Sequence, residues 1–228
     1  NEDDGIMIYI QKGSEPTALV KWKKQHPNGT YTNLDSKTKR TLRNALLQEQ
    51  GFICCFCGKA IGEVDLALSQ IKQKPVYKNQ EHNISNAHII PQSVDNTKTL
   101  DYNNICASCD TRKSNNNEFH CDHKQGDSCI PISPLQVDCL SFFSFNSDGT
   151  IEANQQKTVD DQQKANDTIT ILGLNDNSLN LEREIRLNMF QSLTEDELRN
   201  ALVNIYQRRP NGAFEAFYFV PLSYYGTV

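Results

Sequence analysis

Two C-x-x-C pairs constrain this chain more than any other feature of its sequence. Cys54 and Cys57 form the first pair, and Cys106 and Cys109 form the second. A C-x-x-C turn directs two thiolates at one point, which is half of a tetrahedral zinc site. Two such turns indicate zinc in a reducing compartment, whereas small secreted proteins join their cysteines in disulfides. The spacing therefore predicts a cytoplasmic protein that is stabilised by structural zinc.

The remaining cysteines leave the second half of the zinc site open to two interpretations. The chain has eight cysteines in all. Cys121 lies in the polar segment 120–124, and it competes with Cys106 as the partner of Cys109. Redox chemistry is disfavoured, because the two pairs do not lie in a thioredoxin-like βαβ pattern. The other cysteines are expected to be ordinary thiols: Cys55, Cys129 and Cys139.

The charge of the chain is unevenly distributed. The 228 residues carry a net charge of -5, which argues against a protein that coats nucleic acid unaided. Residues 21–43 are nevertheless basic, and two interpretations of this segment stay open: a solvated helix face or a phosphate-contacting patch. No apolar run approaches the roughly 18 residues that a membrane helix needs, so no membrane association is expected.

Local patterns predict short elements on both sides of the cysteine-rich segment. Alternating residues at 7–10 predict a strand. Asp35 or Ser36 can cap a helix that Gly51 ends, and this helix carries part of the basic segment. Residues 62–85 have no clear period and predict a loop.

The C-terminal part is predicted to be mainly helical. Residues 142–145 predict a strand before a turn, and residues 131–176 are otherwise turn-rich. Apolar residues at every fourth position in 181–189 share one face of a predicted helix. Thr194 and Glu197 form a capping box, which predicts the start of another helix.

A histidine and an asparagine lie between the two cysteine-rich halves. His88 closes a short apolar segment, Asn104 precedes the second C-x-x-C pair, and Asp122 and His123 follow Cys121. Hydrolysis of a phosphodiester needs a base, and a neutral imidazole is suited to that role near pH 7. It also needs a hard divalent cation at the phosphate. This order of residues, wrapped by cysteines, is the order of an HNH nuclease.

The motifs resemble the HNH nucleases of the Septu anti-phage systems, the PtuB family, which also occurs beside retron reverse transcriptases. The resemblance implies an α+β fold, in which a zinc-stabilised ββα-metal core lies between an N-terminal strand and helix segment and a mainly helical C-terminal part. The expected boundaries are 1–50 with the basic helix, 51–135 for the nuclease core and 136–228 for the C-terminal region. The matching stretches are 7–16, 51–57, 88–93, 101–109, 120–127, 132–135 and 170–175.

The resemblance also implies roles for individual residues. His88 would be the general base, and Asn104 would orient its imidazole through a backbone contact. The implied ligands of structural Zn²⁺ are Cys54, Cys57, Cys109 and Cys121. On this alignment Cys106 replaces an ordinary apolar residue, and the pair of Cys106 with Cys109 remains the alternative.

One departure from the family concerns the catalytic cation. Ala87 lies where most HNH enzymes carry an acidic residue or a second histidine as a metal ligand. Asp122 or His123 is therefore expected to hold Mg²⁺ or Mn²⁺, and Asn86 is a further candidate.

The resemblance further implies a toxic effector in bacterial phage defence. It would be held by a PtuA-like ATPase and, in a retron, by a reverse transcriptase with its RNA–DNA product. The alternative is a non-catalytic, zinc-stabilised adaptor that links an ATPase to nucleic acid, and it predicts no cleavage with any divalent ion. The choice between DNA and RNA cannot be predicted, because the chemistry acts on the phosphate and phosphate contacts carry no sequence information directly.

Overall fold

The computed structural model describes residues 9–64, 77–78, 84–111 and 119–226. The described helices are α1 (Thr17–Gln25), α2 (Ser36–Glu49), α3 (Asp122–Gln125), α4 (Val159–Leu172), α5 (Asn177–Asn188), α6 (Glu195–Ile205) and α7 (Phe219–Tyr225). The described strands form antiparallel pairs: β1 (Glu63–Val64) with β2 (Tyr77–Lys78), β3 (Ile84–His88) with β4 (Ile105–Cys109), and β5 (Phe143–Phe145) with β6 (Ile151–Ala153). Helices and small sheets are thus mixed, which is compatible with the predicted α+β class. No helix in the described ranges is long and apolar enough to cross a membrane.

The β3–β4 hairpin is buried along both strands and packs against α2. Its register begins with Ile84 opposite Cys109. Gln50, which follows α2, binds β4 as a neighbouring strand would: its Nε2 donates to the Ala107 carbonyl at 2.8 Å, and its Oε1 accepts from the Ala107 N–H at 2.7 Å. Because both backbone groups of Ala107 are satisfied, the hairpin is fixed to the end of α2.

The N-terminal predictions are partly confirmed. Helix α2 begins where the cap was expected, since the Asp35 carboxylate accepts from the Thr38 N–H at 2.9 Å. The predicted strand lies partly outside the described residues, and Tyr9 and Ile10 form no strand. Ile10 instead donates one backbone hydrogen bond to Pro134 at 2.9 Å. The described part of this segment is therefore tied to residue 134 by a single backbone hydrogen bond and not by a sheet.

The C-terminal predictions are confirmed for β5, α5 and α6, including the capping box of Thr194 with Glu197. The turn-rich interpretation of residues 131–176 is wrong over α4 (Val159–Leu172). The first half of α4 is almost entirely polar, so its sequence shows no apolar stripe. Thr158 caps the helix, and three apolar side chains from its middle to its C-terminal end are buried: Ala165, Ile169 and Leu172.

The apolar face from which helix α5 was predicted is exposed to solvent. Leu181, Ile185 and Met189 share a face as expected, but each is 55–60% exposed. The opposite face buries Leu179 and Leu187. The spacing of the apolar residues therefore predicted the helix correctly, but it did not predict which face of the helix packs against the protein core.

One continuous core joins the three predicted segments. Backbone hydrogen bonds run from Phe214 to Gly51 at 2.9 Å and from Phe217 to Gly58 at 3.0 Å. The boundaries at residues 50 and 135 stay predictions. Along this chain they do not separate independent hydrophobic cores.

Candidate functional site

Four cysteine sulfurs meet beside the β3–β4 hairpin, and all four lie within 4.8 Å of one another. The Cys54 and Cys121 sulfurs are 3.8 Å apart, as are those of Cys57 and Cys109. A tetrahedral site with Zn–S bonds of about 2.3 Å has sulfur–sulfur edges of about 3.8 Å. The buried cluster therefore has the donor atoms and, along these two edges, the spacing that a metal such as zinc requires. Within the described ranges no other group of three or more metal-ligating side chains is so gathered.

Local backbone geometry directs these thiols at one another. In the first turn, the Gly58 N–H donates to the Cys54 carbonyl at 3.0 Å. Gly58 has φ +79°, and a Cβ there would lie 2.1 Å from the Phe219 ring, so glycine is required. Cys121 also has a positive φ, of 59°, and its N–H donates to the Leu172 carbonyl at 2.8 Å. A non-glycine residue in this region signals a constrained position.

The charge balance of the cluster favours a cation. Although burial disfavours its thiolate, hydrogen bonds from the thiols of Cys109 and Cys121 hold the pKa of Cys54 well below its ordinary value. Burial and the neighbouring sulfurs of Cys109 and Cys54 raise the pKa of Cys121 well above its ordinary value. The cluster alone thus supports one thiolate readily, and a divalent cation is what would allow several.

The structure brings Cys121, and not Cys106, to the other three cysteines. Cys106 lies opposite Ala87 in the hairpin. Its thiol neighbours Cys55, where burial and then the Cys106 contact raise the pKa of the Cys55 thiol. Cys129 is exposed and Cys139 is buried away from the cluster, with burial raising the pKa of the Cys139 thiol to about 12.

A polar cleft of about 460 Å³ lies along β3. Asn86 and His88 both line it, because side chains two residues apart on a strand point to the same face. Ala87 points to the other face and is fully buried. The neighbour of His88 in the cleft is therefore Asn86. The other polar residues that line the cleft include Tyr31, Arg43, Asp110, Asp122 and Asp127.

His88 is held as a neutral base. Its Nε2 lies 3.0 Å from the Thr99 carbonyl, which can only accept, so Nε2 carries the proton and Nδ1 is the basic nitrogen. The Gln92 amide lies 3.5 Å from Nδ1. Burial lowers the pKa of His88 below its ordinary 6.5, while the Thr99 hydrogen bond and the Asp122 charge oppose that shift. The imidazole is thus unprotonated near pH 7, as a general base requires.

Asn104 does not contact His88 directly. Its Oδ1 accepts from the Ile90 N–H at 2.8 Å, and its Nδ2 donates to the carbonyls of Ile90 at 3.0 Å and Lys98 at 3.3 Å. These bonds fasten the loop between β3 and β4, which supplies the Thr99 carbonyl to His88. Any effect of Asn104 on the imidazole therefore passes through backbone.

The side chains of Asp122 and His123, at the start of α3, lie in different surroundings. Asp122 lines the cleft with His88. His123 Nδ1 instead lies 3.2 Å from the Thr111 hydroxyl, and its ring meets Phe119 edge-on at 4.7 Å. The structure thus brings only the first of the two predicted cation ligands to His88.

Comparison with known proteins identifies a similar protein whose name refers to a retron. The chain is 28% identical over 146 residues to the protein named "Retron Vc95 putative HNH endonuclease" from Vibrio cholerae serotype O1 biovar El Tor. The match covers 64% of this chain and 63% of the relative. No protein-family model matches the chain.

The sequence motifs did not predict several residues that line or support the cleft. Asp110 had a recognisable signal, because Cys109–Asp110 repeats the Cys-Asp pair of Cys121–Asp122. In each pair the cysteine joins the cluster and the aspartate lines the cleft. Gln125, which supports the cleft without lining it, had no such signal. Its amide Nε2 donates to the His88 and Ile89 carbonyls at 3.3 and 3.1 Å, which ties α3 to the end of β3.

Proposed function

We propose that this protein is an HNH endonuclease that hydrolyses phosphodiester bonds of nucleic acid. The observation that carries the proposal is His88, whose Nε2–H is committed to a carbonyl while Nδ1 remains basic in a cleft with Asp122. The similarity to a retron protein named as an HNH endonuclease supports the same activity.

In this proposal His88 Nδ1 accepts a proton from the attacking water, and the loop that Asn104 fastens keeps the imidazole in place. Asp122, with oxygens of Asp110 and Asn86 in the same cleft, is the residue that we expect to hold Mg²⁺ or Mn²⁺. Such a cation, when bound, neutralises the charge that develops on the phosphate. The side chains supply only part of its shell, as is common for Mg²⁺, which keeps several waters.

The four cysteines are proposed to hold structural zinc. Four protein sulfurs fill a tetrahedral shell and leave no position for water or substrate, which is the pattern of a structural site. Cys109 ends β4 and Cys121 directly precedes α3, so the metal would join the hairpin to that helix.

The biological role that we propose is that of a toxic effector in bacterial anti-phage defence. The retron name of the relative and the sequence resemblance to the Septu family both support this role. A PtuA-like ATPase and a retron reverse transcriptase with its RNA–DNA product are the proposed partners, in the cytoplasm.

The decisive experiment compares wild type with His88→Ala, both zinc-loaded, on single- and double-stranded DNA and RNA with Mg²⁺ or Mn²⁺. Loss of the base is expected to slow cleavage by about 10²–10⁴-fold while zinc content stays unchanged. His26→Gln, which changes an exposed histidine outside the cleft, is the matched control.

Full cleavage by His88→Ala would overturn the assignment of the base. If wild type cuts nothing with any divalent ion, even with its neighbouring genes expressed, the non-catalytic adaptor becomes the better account. Sequencing the nucleic acids cut in cells that express each version would identify the substrate.

A further inference from the structure

We propose that α2 and Tyr31 form the track along which the nucleic-acid strand enters the cleft. Arg43 binds the phosphate nearest His88, and Lys39 binds a phosphate farther along the strand. The ligand is a phosphodiester chain, DNA or RNA. The inference rests on the proposed endonuclease function, which it deepens by naming the residues that hold the substrate.

The structure divides the basic segment 21–43, whose role the sequence left open. Arg43 lines the cleft, with its Nε 3.4 Å from the Asn86 Oδ1. Lys39 lies one turn earlier on α2, and residues four apart share a helix face. Lys23, by contrast, is engaged in an ion pair with Glu15 at 2.5 Å. Only part of the basic segment therefore faces the cleft.

Tyr31 connects these two cations to His88. Its ring meets the His88 ring edge-on, with the centroids 5.0 Å apart. The Lys39 ammonium lies 5.1 Å from the centroid of the same ring. Tyr31 also lines the cleft together with Asn86, the partner of Arg43. Lys39, Tyr31 and Arg43 thus form a continuous surface that leads to His88.

The carboxylates of the cleft oppose the approach of a phosphodiester, so binding needs positive charge nearby. Asp110, Asp122 and Asp127 all line the cleft, and carboxylates repel an approaching phosphate. Arg43 is the one lysine or arginine among the described residues that line the cleft. A guanidinium matches the geometry of phosphate oxygens and can bind two of them at once. Arg43 is therefore positioned to offset this repulsion within the cleft that holds His88.

The test measures binding apart from cleavage. Each variant is made in the full-length, zinc-loaded His88→Ala protein. Binding of fluorescently labelled single strands and duplexes of DNA and RNA is followed by anisotropy at several salt concentrations. Arg43→Gln and Lys39→Gln are compared with Lys37→Gln, a matched loss of charge on α2 at an exposed residue that shares a helix face with neither of them and does not line the cleft.

Arg43→Gln is expected to weaken binding roughly tenfold or more. Each of Arg43→Gln and Lys39→Gln should also reduce the slope of log affinity against log salt by about 0.7 on a single strand or about 0.9 on a B-form duplex. Lys37→Gln should leave the slope unchanged. Arg43→Lys should retain it, because the slope reports charge and a purely structural role would not follow charge.

Equal slopes for all three glutamine variants would overturn the inference. It would also be overturned if the His88→Ala protein without a further substitution bound none of the strands. If Arg43→Gln does not fold, Lys39→Gln decides, because Lys39 is partly exposed and lies outside the cleft lining. The two proposals fail separately: full cleavage by His88→Ala removes the proposed base, whereas unchanged slopes remove only the track.

Discussion

The cysteine cluster and the cleft are built from the same pieces of chain, yet they differ in how completely their geometry is formed. In the cluster, four buried sulfurs lie within 4.8 Å of one another, and two of their separations match the edge of a zinc tetrahedron. In the cleft, no three described carboxylate, histidine or cysteine side chains come equally close. A structural metal needs all its ligands from the protein, whereas a catalytic cation can take water and phosphate oxygens. The difference therefore matches the two proposed roles.

Two dipeptides join these regions. Cys109 and Cys121 enter the cluster, and the residues that follow them, Asp110 and Asp122, line the cleft. Because consecutive residues share a peptide plane, we expect displacement of either cysteine to shift the backbone of the aspartate that follows it. The positions of two cleft carboxylates are therefore expected to depend on the cluster.

The largest effect is expected from breaking the cluster. Cys121→Ser should release zinc and unfold the hairpin region, because structural zinc contributes roughly 10–16 kcal/mol in small zinc-dependent domains. Cys106→Ser, the matched change outside the cluster, should retain zinc and lose only about 1–3 kcal/mol of stability. Zinc content by mass spectrometry and thermal unfolding would measure both. Zinc loss from Cys106→Ser alone would restore the alternative ligand set.

A smaller effect is expected when only the cleft is changed. Asp122→Asn should raise the concentration of Mg²⁺ or Mn²⁺ needed for cleavage by at least about 10–100-fold, the range found even for changes just outside a metal's ligand shell. His123→Gln should change it little, because His123 contacts Thr111 and Phe119. Cleavage rates measured against metal concentration compare the two. A larger effect of His123→Gln would reverse the assignment.

The smallest effect concerns pH. Because burial lowers the pKa of His88 below 6.5, cleavage should be constant near pH 7 and fall roughly tenfold per pH unit below that lowered pKa. The unfolded chain binds more protons than the native state between the lowered pKa and 6.5, so stability should also decline as pH falls through that window.

Rate profiles for wild type and Asp122→Asn, each at saturating metal, would test this assignment. The Asp122 carboxylate raises the pKa of His88, so Asp122→Asn should move the acid limb to still lower pH. An acid limb above pH 6.5 would contradict a buried, neutral His88.

Much of the site was predictable because its signals are local. The spacing of Cys54 and Cys57 predicted the first half of the cluster, whereas Cys121 in place of Cys106 followed only from the family resemblance. The His–Asn order pointed to His88, and the cap at Asp35 located α2. The contributions of Arg43 and Tyr31 were not predictable, since they reach the cleft only after α2 packs on the hairpin. Helix α4 was missed for a different reason: its first half carries too few apolar residues to show a period, and its cap and tertiary contacts stabilise it.

The contact between Gly58 and Phe219 sets an order of events during synthesis. The first C-x-x-C turn leaves the ribosome early, but the aromatic ring that packs on it and the Phe217 N–H that binds the Gly58 carbonyl are translated far later. A nascent chain can therefore gather all four cysteines while the support behind their first turn is still missing. The complete environment of the first C-x-x-C turn forms only once residue 219 has been released from the exit tunnel.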